Sequence, residues 1–231
     1  MKKEMEEAIL EYVRLMKDAK TKNAGGDHAQ QGNRGALTSG KHMSPIEQVI
    51  RKDLMAEGLK GYEVYSGGLN MNLPGWYRPA KNWDLLAVHD GRLIAAIELK
   101  SQNSSAGNNF NNRVEESLGS AEDASKAVKN GLIPGVPAPA FAFAMFVTIP
   151  DMMRKRRIPS AKFNPDPIFK DTSYWERYVI FLQRAIAERL YQTSWLVFID
   201  TEKMEVTEPC DDFTYEKFIT MLKGQTRVAL S

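Results

Sequence analysis

The chain has one cysteine, Cys210, in 231 residues, so no disulfide can form within it and a cysteine-based zinc site is excluded. Its three histidines, His28, His42 and His89, are scattered and read as loop residues. This usage suits a reducing compartment, and a cytoplasmic location is expected. No charge sign dominates: 31 Lys and Arg face 29 Asp and Glu, a net charge of +2 that does not by itself mark a polyanion binder. Long unbroken apolar runs are also missing. Residues 132–150 carry no charge, but Pro134, Gly135, Pro137, Pro139 and Pro150 interrupt them, leaving too little to span a bilayer. The start, Met1-Lys2-Lys3-Glu4, is charged where a signal peptide needs an apolar stretch, so export is not expected.

What is present is the composition of an ordinary globular protein, 43% hydrophobic, 10% aromatic and 26% charged. Collagen-like, coiled-coil and wholly disordered readings fall away. The length suits a single domain over residues 1–231, with a helical extension and polar loop over roughly 1–43. Met5, Ala8, Ile9, Tyr12, Val13, Met16 and Ala19 recur at helical spacing, predicting an amphipathic helix. The glycine-rich stretch 23–41 has no periodicity and reads as a long loop or a segment that orders on a partner. Ser44-Pro45-Ile46-Glu47 reads as a capping box opening a second helix. Further helices are expected over 112–130, from Ser173-Tyr174-Trp175-Glu176 onward and near 215–223, with strands at 140–149 and 195–200. Strands alternating with helices predict an α/β fold, a mixed central sheet flanked by helices.

The most informative pattern is 82–102, two apolar runs joined at His89-Asp90-Gly91, since Asp-Gly between such runs signals a hairpin. With a three-residue loop and Gly91 left-handed, Val88 faces Arg92, and Trp83, Leu85, Ala87, Leu93, Ala95, Ile97 and Leu99 share one apolar face. The other face then carries Asn82, Asp84, Glu98 and Lys100 at the open end. A two-residue turn would instead separate Asp84 from Glu98.

Ionisable groups at the end of a buried ribbon need partners or an ion. Asp84 and Glu98 offer hard oxygen ligands suited to Mg²⁺, and Lys100, two residues after Glu98, falls on the same face. The set suits metal-assisted phosphodiester hydrolysis, in which an ion activates water and stabilises charge on the phosphate. The plainer reading is a surface ion pair at a strand end.

Asp84 with Glu98-Leu99-Lys100 resembles the PD-(D/E)xK nuclease signature. Four segments extend the likeness: Leu73-Pro74-Gly75-Trp76-Tyr77-Arg78-Pro79, Asn82-Trp83-Asp84-Leu85-Leu86, Ala95-Ala96-Ile97-Glu98-Leu99-Lys100-Ser101-Gln102, and Gly107 through Glu116. With Gln31-Gly32-Asn33-Arg34-Gly35 and Tyr174 to Leu190, they resemble the XhoI-type restriction endonucleases over most of the chain. Trp83 stands where the general signature has proline, and Asn103-Ser104-Ser105-Ala106 departs from the family's usual wording. The resemblance implies a restriction-endonuclease-like fold and a homodimeric, Mg²⁺-dependent type II enzyme that cuts double-stranded DNA. Its implied site is a short palindrome, CTCGAG, cut to leave 5′ overhangs, and a cognate DNA methyltransferase is its implied companion. It assigns metal binding to Asp84, Glu98 and the Leu99 carbonyl, and service of the attacking water to Lys100. Glu47 is a further acidic candidate, though the capping box accounts for it equally well.

Candidate DNA contacts follow from charge and side-chain geometry. Arg154, Lys155, Arg156 and Arg157 form the densest basic run and suit phosphates. Asn108, Asn109, Asn111, Asn112 and Arg113 carry groups able to read base edges, though asparagines also serve caps and turns. Asn33 and Arg34 lie in the polar loop. Two other functions compete: a repair or recombination nuclease recognising DNA structure, and a DNA-binding module without catalysis.

Overall fold

The two apolar runs around Asp90-Gly91 form strands β4 (Leu85–His89) and β5 (Arg92–Gln102), and their pairing sets the geometry of everything nearby. The computed structural model describes residues 1–24, 41–67, 71–103, 106–148, 150–156, 158 and 162–231. His89 pairs with Arg92, and both Asp90 (φ 48°) and Gly91 (φ 72°) are left-handed, the sign pattern of a two-residue type I′ turn. The three-residue loop expected from the sequence does not form. A bulge corrects the consequence: Val88 pairs with Leu93 but Ala87 pairs with Ala95, so Ile94 is the extra residue that moves the register by one. Leu85 then faces Ile97, and Asp84 and Glu98 are each one step beyond that pair, opposite one another.

Two core residues lie on the other face from the one expected, Leu93 because it precedes the bulge and Trp83 because it stands outside β4. Leu93 and Trp83 pack with Leu86 and Ala96, on the side opposite Leu85, Ala87, Ala95, Ile97 and Leu99. His89, read as a loop residue, is a strand residue with Nδ1 2.6 Å from Glu63 Oε1.

The sheet adds β1 (Val64–Ser66), β6 (Gly135–Val147), β7 (Thr193–Asp200) and β8 (Glu205–Thr207) in the order β1-β4-β5-β6-β7-β8. β5, β6 and β7 are parallel and the remaining pairs antiparallel, so the mixed α/β sheet is as expected and consistent with a restriction-endonuclease-like fold. Between the pairs Leu93–Gly135 and Ala95–Ala140 the β5–β6 ladder shifts register. Pro137 and Pro139 fall in that interval, where a residue without an N–H does no harm to a central strand. A separate two-stranded ribbon, β2 (Asn72–Pro74) and β3 (Ala80–Asn82), leads into Asp84.

Helices α1 (Lys3–Ala24), α2 (Ser44–Met55) and α5 (Tyr215–Leu230) cover one face, burying Ile9, Val13, Ile46, Ile50, Phe218 and Leu222 against it. Helices α3 (Ala106–Lys129) and α4 (Tyr174–Ala187) cover the other through Ala121, Ala124, Tyr178 and Leu182. The Ser173–Glu176 capping box forms in full. At α2 it does not: Met43 is the N-cap, without a side-chain hydrogen bond, and Ser44 lies inside the helix. Among the described residues no helix is long and apolar enough to cross a membrane.

Candidate active site

The site arises where an antiparallel pairing ends. β4 stops facing β5 at Leu85–Ile97, but β5 runs on to Gln102 beside β6, leaving one edge of residues 98–102 without a β4 partner. Asp84 closes that edge: its N–H donates to the Ile97 carbonyl at 3.2 Å, and its Oδ2 accepts from the Leu99 N–H at 2.7 Å. A strand residue's N–H and C=O leave on the same side, so the Leu99 carbonyl also faces the Asp84 edge. Glu98 is 4% exposed and is met by two lysines. Lys100 Nζ pairs with Oε1, and Lys81 Nζ, from β3, stands 2.5 Å from Oε2 and 4.4 Å from the centre of the Trp83 ring.

Charge at this edge is crowded. Burial, with the negative charge of Glu98, pushes the Asp84 carboxyl up to about 6, against the pull of Lys100 and the Leu99 N–H. Burial alone would lower Lys100, but Glu98 and Asp84 outweigh it and hold the ammonium above the ordinary lysine range. Lys100 therefore stays charged at neutral pH. From the other side of the sheet, Glu47 on the first turn of α2 is 4% exposed. Burial and the charge of Asp84 push its carboxyl up to about 7, and its Oε2 accepts no hydrogen bond from any described residue. The capping box that the sequence offered for Glu47 does not form at α2.

A buried carboxylate oxygen without a donor is costly, and beside Asp84 it completes a set of hard oxygen donors suited to a divalent cation. Among the described residues no three Asp, Glu, His or Cys side chains converge tightly enough to cage a metal by themselves.

The profile described as Restriction endonuclease XhoI matches residues 20–210, well over half of the chain, and spans Glu47, Lys81, Asp84, Glu98 and Lys100. The chain belongs to the XhoI restriction endonuclease family. It is 35% identical to the type II restriction enzyme BstVI of Geobacillus stearothermophilus over 201 residues, covering 83% of this chain and 89% of that one. It is 37% identical to the type II restriction enzyme XhoI of Xanthomonas vasicola over 169 residues, 69% of this chain and 66% of that one. AbrI of Azospirillum brasilense, also a type II restriction enzyme, is 34% identical over 159 residues, 68% of this chain and 71% of that one. No solved structure matches.

In this XhoI-family chain the candidate DNA contacts fall in two places. Helix α3 starts shortly after β5 ends, and its first turns carry Asn109, Asn111, Asn112 and Arg113. Asn111 and Asn112 are exposed and Asn109 half-buried. Arg113 pairs with Glu116, and its charge reaches both Lys100 and Tyr178, which places it at the edge of the site. Tyr178 in turn donates its hydroxyl to Gln102 Oε1 and packs edge-on against Phe110, centroids 4.9 Å apart, locking α3 and α4 to the end of β5. Of the basic run, Arg154 and Lys155 are exposed, with Lys155 bridging to Ser173. Arg156 is half-buried, its N–H donating to the Thr172 carbonyl at 3.1 Å and its carbonyl accepting from Arg177. The run is thus tied to the start of α4. Asn33, Arg34, Arg157 and the Asn108 side chain lie outside the described residues.

Sequence reasoning missed Lys81. No spacing relates it to Glu98; only the fold of the β2–β3 ribbon brings it there. The faint signal was a lysine lying between two segments, Leu73–Pro79 and Asn82–Leu86, singled out by family likeness.

Proposed function

We propose that this chain is a Mg²⁺-dependent type II restriction endonuclease that hydrolyses phosphodiester bonds of double-stranded DNA at the palindrome CTCGAG, leaving 5′ overhangs. The observation that carries the reading is the open edge of β5. There Asp84, Glu98 and the Leu99 carbonyl stand together with the charged Lys100, and Glu47 adds a buried oxygen without a donor. Asp84, Glu98 and the Leu99 carbonyl would hold the ion, with Glu47 as a further oxygen donor. A bound Mg²⁺ would supply charge stabilisation at the scissile phosphate and acidify water.

The chain's own residues do the rest. Lys100, fixed in its charged form by Glu98 and Asp84, is a donor: its N–H groups orient the attacking water and meet charge on a phosphate oxygen. Asp84 is aimed by the Leu99 N–H, so its second oxygen is kept for the ligand. Glu47, whose carboxyl is pushed up to about 7 without an ion, would give up that proton when it serves as an oxygen donor. Hydrolysis places the hydroxyl of water on phosphorus and a proton on the departing oxygen.

A palindrome has two-fold symmetry, and two copies of one chain match it with one active site for each strand. A homodimer is therefore part of the proposal, as is a cognate methyltransferase that protects the host's own sites. Arg154, Lys155, Arg156 and Arg157 would serve phosphates, while Asn33, Arg34, Asn108, Asn109, Asn111, Asn112 and Arg113 are the candidates for base and backbone contact. Digestion of a long DNA of known sequence with Mg²⁺, followed by sequencing of the fragment ends, tests the reading. Discrete fragments whose ends share CTCGAG and carry 5′ extensions are expected. Cutting restricted to branched or damaged DNA would instead establish a structure-specific nuclease, and binding without hydrolysis a non-catalytic module.

A further inference from the structure

The β2–β3 ribbon ends in a tightly held tip. Residues 75–79 connect Pro74 to Ala80 and hold two large rings in solvent: Trp76 is 47% exposed and Tyr77 68%. Such rings in a loop usually mark either mobility or a contact, and this loop is firmly held. Asp123 of α3, its side chain 4% exposed, accepts hydrogen bonds from Trp76 N at 2.8 Å, Tyr77 N at 2.7 Å and Arg78 Nε at 2.7 Å. The fit is close enough that a Cβ on Gly75 would stand 2.6 Å from Asp123 Oδ2 and 2.7 Å from the Arg78 carbonyl, so only glycine is accommodated. One buried carboxylate thus fixes three consecutive residues and leaves both rings facing outward as rigid apolar anchors, which lose little freedom on binding.

The base of the ribbon lies at the candidate active site. Lys81, paired with Leu73 in the ribbon, reaches Glu98, and Tyr77 is four residues from it. At strand rise four residues span at most about 13 Å, which keeps the tip within about four nucleotide steps of the catalytic edge along one DNA strand. We propose, resting on the nuclease reading above, that Trp76 and Tyr77 are a DNA contact. Their rings pack on deoxyribose and on base edges in a groove within a few steps of the bond that is cut, with the exposed part of Arg78 beside them. They supply apolar contact instead of phosphate neutralisation.

The clamp uses backbone N–H groups of Trp76 and Tyr77, so both side chains can be changed without touching it. The test compares the full-length wild type with the Trp76→Ala/Tyr77→Ala double variant on a duplex bearing CTCGAG, in Ca²⁺, by fluorescence anisotropy at several salt concentrations. Affinity should fall roughly tenfold to a hundredfold, with the slope against salt unchanged and thermal unfolding unaltered. Trp76→Phe with Tyr77 intact should recover most of the loss. Wild-type binding and cleavage with equal affinity in the double variant would overturn the inference alone. So would a shallower salt slope, which would make the loop a phosphate contact, or a drop in sedimenting mass, which would make the rings a subunit contact. A wild type that neither binds nor cuts the duplex would overturn the nuclease reading, and this inference with it.

Discussion

Replacing Glu47 with glutamine should stabilise the metal-free protein, and only at the higher end of the pH range. The Glu47 carboxyl titrates at an ordinary 4.5 when unfolded but near 7 in the folded chain, because burial and the charge of Asp84 oppose its ionisation. The folded state thus holds this proton more tightly than the unfolded one. Folding is unpenalised below the unfolded value, loses stability as pH rises from 4.5, and bears the full penalty above about 7. The displacement corresponds to at most about 3 kcal/mol, for a side chain that is 4% exposed and so poorly screened. Glutamine keeps the shape without the charge. At about pH 8 and with a chelator present, Glu47→Gln should melt up to about 6–12 °C above wild type, at 2–4 °C per kcal/mol for a chain of this size. Near pH 4 the two curves, followed by circular dichroism, should coincide. A variant less stable than wild type at pH 8, or a gap of equal size at both pH values, would refute the reasoning that Glu47 is held against its own electrostatics. The instability is expected of a carboxylate retained for a ligand, so divalent cation should close the gap by stabilising the wild type more.

Other substitutions probe neighbouring parts. Lys81→Met removes one of the two cations on Glu98 and should tighten Ca²⁺ binding without DNA by about tenfold in calorimetric titration; weaker binding would mean that Lys81 organises the site instead of competing for it. Ser173→Ala breaks the capping box of α4 and should cost about 1 kcal/mol, seen as a melting temperature lower by about 2–4 °C, with the cleavage pattern unchanged. Arg154→Ala and Lys155→Ala, at exposed positions, should each lessen the salt dependence of DNA binding by about one phosphate contact and leave sequence preference alone; altered preference would contradict a phosphate role.

Much of this architecture was legible in the sequence because it rests on strong local signals. The helical period of Met5 through Met16, the Ser173–Glu176 capping box and the Asp90-Gly91 turn all appear where they were expected. What failed was register. A turn and a bulge each shift a hairpin by one residue, and nothing in Leu93-Ile94-Ala95 announces which of three apolar residues is the extra one. The three-residue loop was the wrong route to a correct juxtaposition of Asp84 and Glu98, and it misplaced Leu93 and Trp83. Ser44 shows a similar limit: Ser-Pro-x-Glu matches a capping box as text, but the helix begins one residue earlier in capping terms, and Glu47 turns inward instead. Lys81 and the Asp123 clamp were invisible because both join segments far apart in the chain, 17 and 45 residues for their shortest links, through packing that no local pattern encodes.

The central claim is that Asp84, Glu98 and Lys100 form one hydrolytic centre, and the most direct measurement compares wild type with Lys100→Ala and Asp84→Asn on plasmid DNA. Cleavage is followed in Mg²⁺ and site-specific binding in Ca²⁺. The account predicts discrete fragments from wild type, a loss of at least about a hundredfold in cleavage rate for each variant, and specific binding by Lys100→Ala retained. Undiminished cleavage by either variant would contradict it.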